Sequence, residues 1–179
     1  MAFTRQTLRL REAALTVAMA VGVFLAVQAW QTRDASPHWQ GPPTLAWVLP
    51  DGTQGRGTLQ DLRAQLGIPP QVPIALHVWA TWCSICRAQE STVTALGREH
   101  AVVTLATRSG DAQAVQRYLR ERRLPWVALL DPDGAIAAAH GWRAVPVFGV
   151  LTADGALRHT TVGYTTGWGM RLRLWWARP

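Results

Sequence analysis

Four short apolar runs, Ile74–Trp79, 101–106, 126–130 and Val147–Leu151, alternate with segments of helical spacing, and this alternation constrains the chain more than any other feature. The helical segments are 86–96, ended by Gly97, and 111–122, where Val115 and Leu119 are four apart and Asp111 lies near the start. Strand, helix, strand, helix, strand in that order folds into one sheet with helices on both faces, because each element has an apolar face to cover. Residues 156–162 predict a fifth strand. It is joined to Val147–Leu151 by the tight Asp154-Gly155 turn, which adds antiparallel strands at one side. Gly167–Trp176 predicts a last helix, with Met170, Leu174 and the neighbouring Trp on one side. Upstream, 44–49 and 54–58 about the Pro50-Asp51-Gly52 turn predict a hairpin. Residues 59–66 predict a short helix stopped by Gly67. The expected class is α/β, a central mixed β-sheet flanked by helices, with an N-terminal β-hairpin extension.

Ahead of this pattern, residues 13–32 carry no charge over twenty positions. At about 1.5 Å rise each they span about 30 Å, the thickness of a hydrocarbon core. Arg5, Arg9 and Arg11 precede the stretch with one acid, Glu12, and Arg33 closes it. Basic residues there favour a cytoplasmic N-terminus and export of the rest. The segment reads as an uncleaved transmembrane anchor or as a cleaved signal peptide; Val27-Gln28-Ala29 is a poor small-x-small site, because Val27 is large. A buried globular helix is the bland alternative. Residues 34–43 are polar and Pro-rich and read as a stalk. The expected organisation is 1–32, cytoplasmic basic end and anchor; 33–43, stalk; 44–179, globular domain.

Composition excludes several functions. All eighteen basic residues are Arg, and without Lys there is no P-loop. The net charge of +7 comes with no Arg-rich run and no RNP-like aromatic motif, so no nucleic-acid partner is expected. Two Cys are too few for a disulfide-built scaffold or a four-thiolate zinc site.

Those two Cys stand in Trp79-Ala80-Thr81-Trp82-Cys83-Ser84-Ile85-Cys86-Arg87, directly after a strand and at the opening of a helix. Unsatisfied N–H groups and the positive dipole end there favour thiolate over thiol. Cys83, on the exposed side, is expected to attack; Cys86, one turn in, resolves the mixed disulfide. A c-type haem attachment would need His where Arg87 stands. A zinc site would have to recruit His77 or His140. An inert structural disulfide would close a loop too small to add much stability.

The segment from Trp79 to Cys86 resembles the active-site segment of the thioredoxin superfamily. With the anchor and hairpin before it, the chain is similar to the membrane-tethered periplasmic, TlpA-like branch, which includes cytochrome-c-maturation thioredoxins. Gly141-Trp142-Arg143-Ala144-Val145-Pro146-Val147-Phe148 resembles the loop that carries the superfamily's cis-proline. The resemblance implies a thioredoxin-like fold, a cis Val145–Pro146 bond and pairing of the Val145 backbone with an extended substrate. The tail from Gly163 to Trp176 resembles that of ScsD-type disulfide oxidoreductases, which are associated with suppression of copper sensitivity.

Two departures stand out. The dipeptide between the Cys is Ser84-Ile85, without proline. At the place of thioredoxin's buried Asp stands His77, a candidate proton relay near pH 6–7. Trp82 is expected to flank Cys83 and contact the partner, and Trp79 to pack beneath. Trp168, Trp175 and Trp176, with Arg171, Arg173 and Arg178, suit either a headgroup layer or core packing of one helix face. The reading is a single-pass inner-membrane protein with its catalytic domain in the periplasm. It needs no cofactor beyond the Cys83–Cys86 disulfide. Its partners are periplasmic disulfide-bearing proteins and a membrane thiol reductant of DsbD/ScsB type. The rivals are a cytochrome c maturation reductase, a copper- or zinc-binding module built on Cys83, Cys86 and a His, and a non-catalytic interaction domain.

Overall fold

A computed structural model describes the backbone of residues 2–178, with side chains from Arg11 to Arg178 except at 31. The side chains of Arg5 and Arg9, which enter the orientation argument above, lie outside the described residues, as do Met1 and Pro179. The chain divides into two units, Met1–Arg33 and Asp34–Pro179. The first is one helix, α1 (Ala2–Thr32). Its Arg11–Trp30 stretch is long and apolar enough to cross a membrane.

The second unit contains β1 (Leu45–Val48), β2 (Gln54–Gly57), α2 (Leu59–Gln65), β3 (Ile74–Trp79), α3 (Ser84–Leu96), β4 (Val102–Thr107), α4 (Ala112–Glu121), β5 (Ala128–Asp131), α5 (Ala135–Ala139), β6 (Val147–Leu151), β7 (Leu157–Val162) and α6 (Gly167–Trp176). The strands form one sheet in the order β2-β1-β5-β4-β3-β6-β7. The β3–β4 and β4–β5 pairs are parallel; the other pairs are antiparallel. This is the thioredoxin-like mixed sheet with its N-terminal hairpin.

Side-chain alternation divides the core in two. Ala75 and Trp79 of β3 join Val93 and Leu96, Val115 and Leu119, and Met170 and Leu174 on one face. Ile74, Leu76 and Val78 join Leu62, Ile136 and Ala137 on the other. Both faces of β3 are covered, and every one of its residues is buried.

The helix starts follow their capping residues. Thr58 and Asp61 make a reciprocal capping box on α2, Asp111 caps α4, and Thr166 caps α6. Arg63 of α2 is buried, and its guanidinium donates to the carbonyls of Pro69, Pro70 and Val72, tying down the loop before β3.

Three expectations need correction. The helix α5 lies at Ala135–Ala139, where no element was expected; its five residues are too few to show a period. Gly134 precedes it with no side-chain cap, and the buried Asp131 carboxylate instead accepts the amides of Ile136 and Ala137 at 2.9 and 3.1 Å. The segment read as a free stalk is built into the second unit. His38 bridges Ala156, Leu157 N–H donates to Pro37 at 2.7 Å, and Gln40 N–H donates to His140 Nε2 at 2.9 Å. Trp142 stacks on the buried His140 ring with centroids 4.2 Å apart, and Trp39 packs tilted against it at 4.9 Å. On α6, only Met170 and Leu174 face the core, whereas Trp168, Trp175 and Trp176 are exposed.

Candidate active site

The sheet delivers Cys83 to the point where β3 ends and α3 begins. Its sulfur caps the helix and accepts the Cys86 amide at 3.0 Å. Cys83 and Cys86 form a disulfide with Cα atoms 5.2 Å apart. Cys83 is 6% exposed and Cys86 2%, so the first is the more open.

Around this pair the structure gathers the residues that the sequence spread over sixty positions. The Val145–Pro146 bond is cis, and the Val145 carbonyl oxygen lies 3.8 Å from Cys83 Sγ. In the disulfide that sulfur has no proton to donate, so this is a contact rather than a hydrogen bond. Gly163 N–H donates to the Pro146 carbonyl at 2.8 Å, and Gln89 of α3 donates to Thr165 at 2.7 Å. These bonds tie the 163–166 loop to the cis-proline and to α3. Trp82 is 61% exposed beside Cys83; its indole N–H donates to the Arg108 carbonyl at 3.0 Å. Ser109 accepts the Thr81 amide at 3.1 Å. Nothing in the sequence marked 107–109 as the support of the 80–82 loop, because the link is between two loops distant in sequence.

Trp79 lies beneath, fully buried, against Trp126 and Tyr118 with ring centroids 5.5 and 5.2 Å away. The Tyr118 hydroxyl donates to Glu90 at 2.8 Å, and Arg122 pairs with the same carboxylate. Burial, then the Glu90 carboxylate, pushes the Tyr118 hydroxyl up to about 12. This triad was not expected. Its one signal in the sequence is Glu90, four residues after Cys86 and therefore one turn along α3.

His77 sits on the same sheet face as Trp79, between Thr104 and Phe148 in register, with its ring edge-on to Trp126. It is buried, and neither ring nitrogen has a hydrogen-bond partner among the described residues. Burial lowers its pKa to about 3, well below the pH 6–7 range expected of a proton relay there. Its effect on stability follows by linkage. Between about pH 6.5 and 3 the unfolded chain binds a proton at His77 that the folded chain refuses, so stability falls with falling pH across that window. The expected slope is about 1.4 kcal/mol per pH unit from this residue. Denaturant titrations at pH 4, 5, 6 and 7 test it: His77→Leu should flatten the curve by about one proton, and an unchanged slope would disprove the assignment.

Among the described residues no group of three His, Cys, Asp or Glu side chains comes together.

The Redoxin family model matches residues 50–168. A thioredoxin-like protein of Haemophilus influenzae is 32% identical over 125 residues, 67% of this chain and 74% of its own length. The thiol:disulfide interchange protein DsbE of Pseudomonas aeruginosa is 28% identical over 153 residues, 83% of this chain and 81% of its own. Among solved structures, the exposed lipoprotein thioredoxin Etrx1 of Streptococcus pneumoniae superposes with a TM-score of 0.59 at 21% identity, covering 73% of this chain and 97% of that one. With the disulfide at the start of α3 and the cis-proline loop against it, this chain belongs to the Redoxin family and is a thioredoxin-like thiol–disulfide oxidoreductase.

Proposed function

We propose that the chain is a membrane-tethered reductase of protein disulfides on the periplasmic side, of ScsD type and serving copper or oxidative stress. The observation that carries the exchange chemistry is the Cys83 sulfur held at a helix start, 3.0 Å from a backbone amide and 3.8 Å from the Val145 carbonyl. The amide stabilises negative charge on that sulfur once the disulfide opens. In this reading Cys83 attacks, Cys86 resolves, and an extended partner segment docks on the Val145 backbone and against Trp82 and Pro146. No cofactor beyond the dithiol is invoked. The apolar Arg11–Trp30 stretch supports the tether, and a membrane thiol reductant of DsbD/ScsB type would maintain the reduced form.

Direction is tested by the reduction potential of the Cys83–Cys86 pair in the full chain, equilibrated in dithiothreitol and glutathione buffers. A value near about −270 mV, in the thioredoxin range, is expected of a reductase. A value near about −120 mV would make the protein an oxidant and end this reading.

Cytochrome c maturation, the task of some thioredoxins of the membrane-tethered branch that the chain resembles, is a second reading of the same chemistry. Loss of haem-stained c-type cytochromes in cells lacking the gene, without copper sensitivity, would select it. The copper- or zinc-binding rival predicts stoichiometric metal on the reduced protein.

A further inference from the structure

The open flank of the disulfide is charged. Between Trp82 and the α5–β6 connection lies a groove of about 430 Å3, with Ala137, Ala138 and Val145 in its wall. Arg108 and Arg143 also line it, and no acidic residue does. Both arginines are exposed.

Each is held in place. The Arg108 carbonyl accepts the Trp82 indole N–H, and its side chain lies across Gly134, where a Cβ would stand 2.5 Å from Nε. Arg143 already holds a carboxylate: Asp34 Oδ2 is 3.2 Å from its Nη2. An ion pair this exposed is weak and exchanges readily. The nearby Asp133 carboxylate accepts the Ala135 amide at 3.0 Å, outside the groove lining. The chain thus shows with its own Asp34 the kind of group that seats at Arg143.

We propose that this groove receives the segment flanking the partner's cysteine, and that Arg108 and Arg143 select partners with an acidic side chain there, which displaces Asp34. The inference rests on the exchange reading above. In that exchange the Cys83 thiolate attacks one partner sulfur, and the partner's S–S bond breaks, releasing one thiolate that takes a proton from solvent. Cys86 then attacks Cys83, and the second partner thiol leaves. Two electrons and two protons pass from the protein dithiol to the partner disulfide. The arginines act on the encounter, so their effect appears in the second-order rate constant and shrinks with salt.

The test uses the full chain, reduced and freed of reductant, against three cystine peptides that differ only in Asp, Asn or Lys beside the cysteine. At low salt the Asp peptide is expected to react about 10-fold faster than the Lys peptide. The ratio should fall near one in R108A/R143A and survive in R108K/R143K. Because it is a ratio within one preparation, loss of folded protein cancels. Equal rates on the three peptides, or a ratio unchanged in R108A/R143A, would overturn the selection. Oxidised glutathione reacting as fast as the Asp peptide would assign the groove to a small disulfide and overturn the peptide claim. Failure to react even with uncharged hydroxyethyl disulfide would instead strike the exchange reading itself.

Discussion

Cys83→Ser is expected to bring reduction of a protein disulfide to background, a loss of at least about 10³-fold, whereas Cys86→Ser stops the reaction after its first step. The asymmetry comes from placement. Cys83 caps α3, accepts a backbone amide and borders the exposed Trp82; Cys86 lies one turn inside and is almost fully covered. A hydroxyl at position 83 does not ionise near neutral pH, so no nucleophile remains where a partner sulfur can arrive. With serine at 86 the attack still occurs, and the mixed disulfide has no resolving thiol. On a non-reducing gel Cys86→Ser should therefore accumulate a partner adduct that dithiothreitol releases, and Cys83→Ser should form none. Adducts on Cys83→Ser instead would reverse the assigned roles.

Trp79→Ala should cost about 3–5 kcal/mol, the range for removing a buried Trp. For a unit of this size that lowers the melting temperature by roughly 10 °C. Trp79 fills the space between β3, Tyr118 and Trp126 directly under the disulfide, and the surrounding sheet and helices are too tightly packed to close over its loss. Its indole N–H has no partner among the described residues, so Trp79→Phe removes volume but no hydrogen bond and should cost about 1 kcal/mol. Thermal unfolding of the detergent-solubilised chain, followed by near-ultraviolet circular dichroism, reads both. An Ala variant within about 1 kcal/mol of the parent would show that the floor of the site is not built on Trp79.

Much of the site was legible because it is local. Cys83 and Cys86 are three residues apart, and a strand before them with a helix after them suffices to set their relation. The cis-proline loop was legible by resemblance, although its contact with Cys83 bridges 62 positions. His77 falls on the strand that leads to the Cys pair, but its titration range was misjudged, because the covering layer that removes its water comes from other elements. The 34–43 segment was misread for a related reason. Pro and polar residues describe a chain free of secondary structure, and do not reveal that an edge strand elsewhere will donate an N–H to the Pro37 carbonyl.

The sequence by itself determined the order of the seven strands and of the longer helices, the start of α4 at Asp111 and the position of the Cys pair. Those properties depend on neighbours within a turn or a pleat. Only the tertiary structure decided that Arg108 and Arg143 would line one groove with Trp82 and Val145, that Glu90 would bind Tyr118 and Arg122, and that Asp34 would reach Arg143. A polar side chain can satisfy its hydrogen bonds with many partners of similar energy. Which one it meets is settled by how the strands stack and where the loops close.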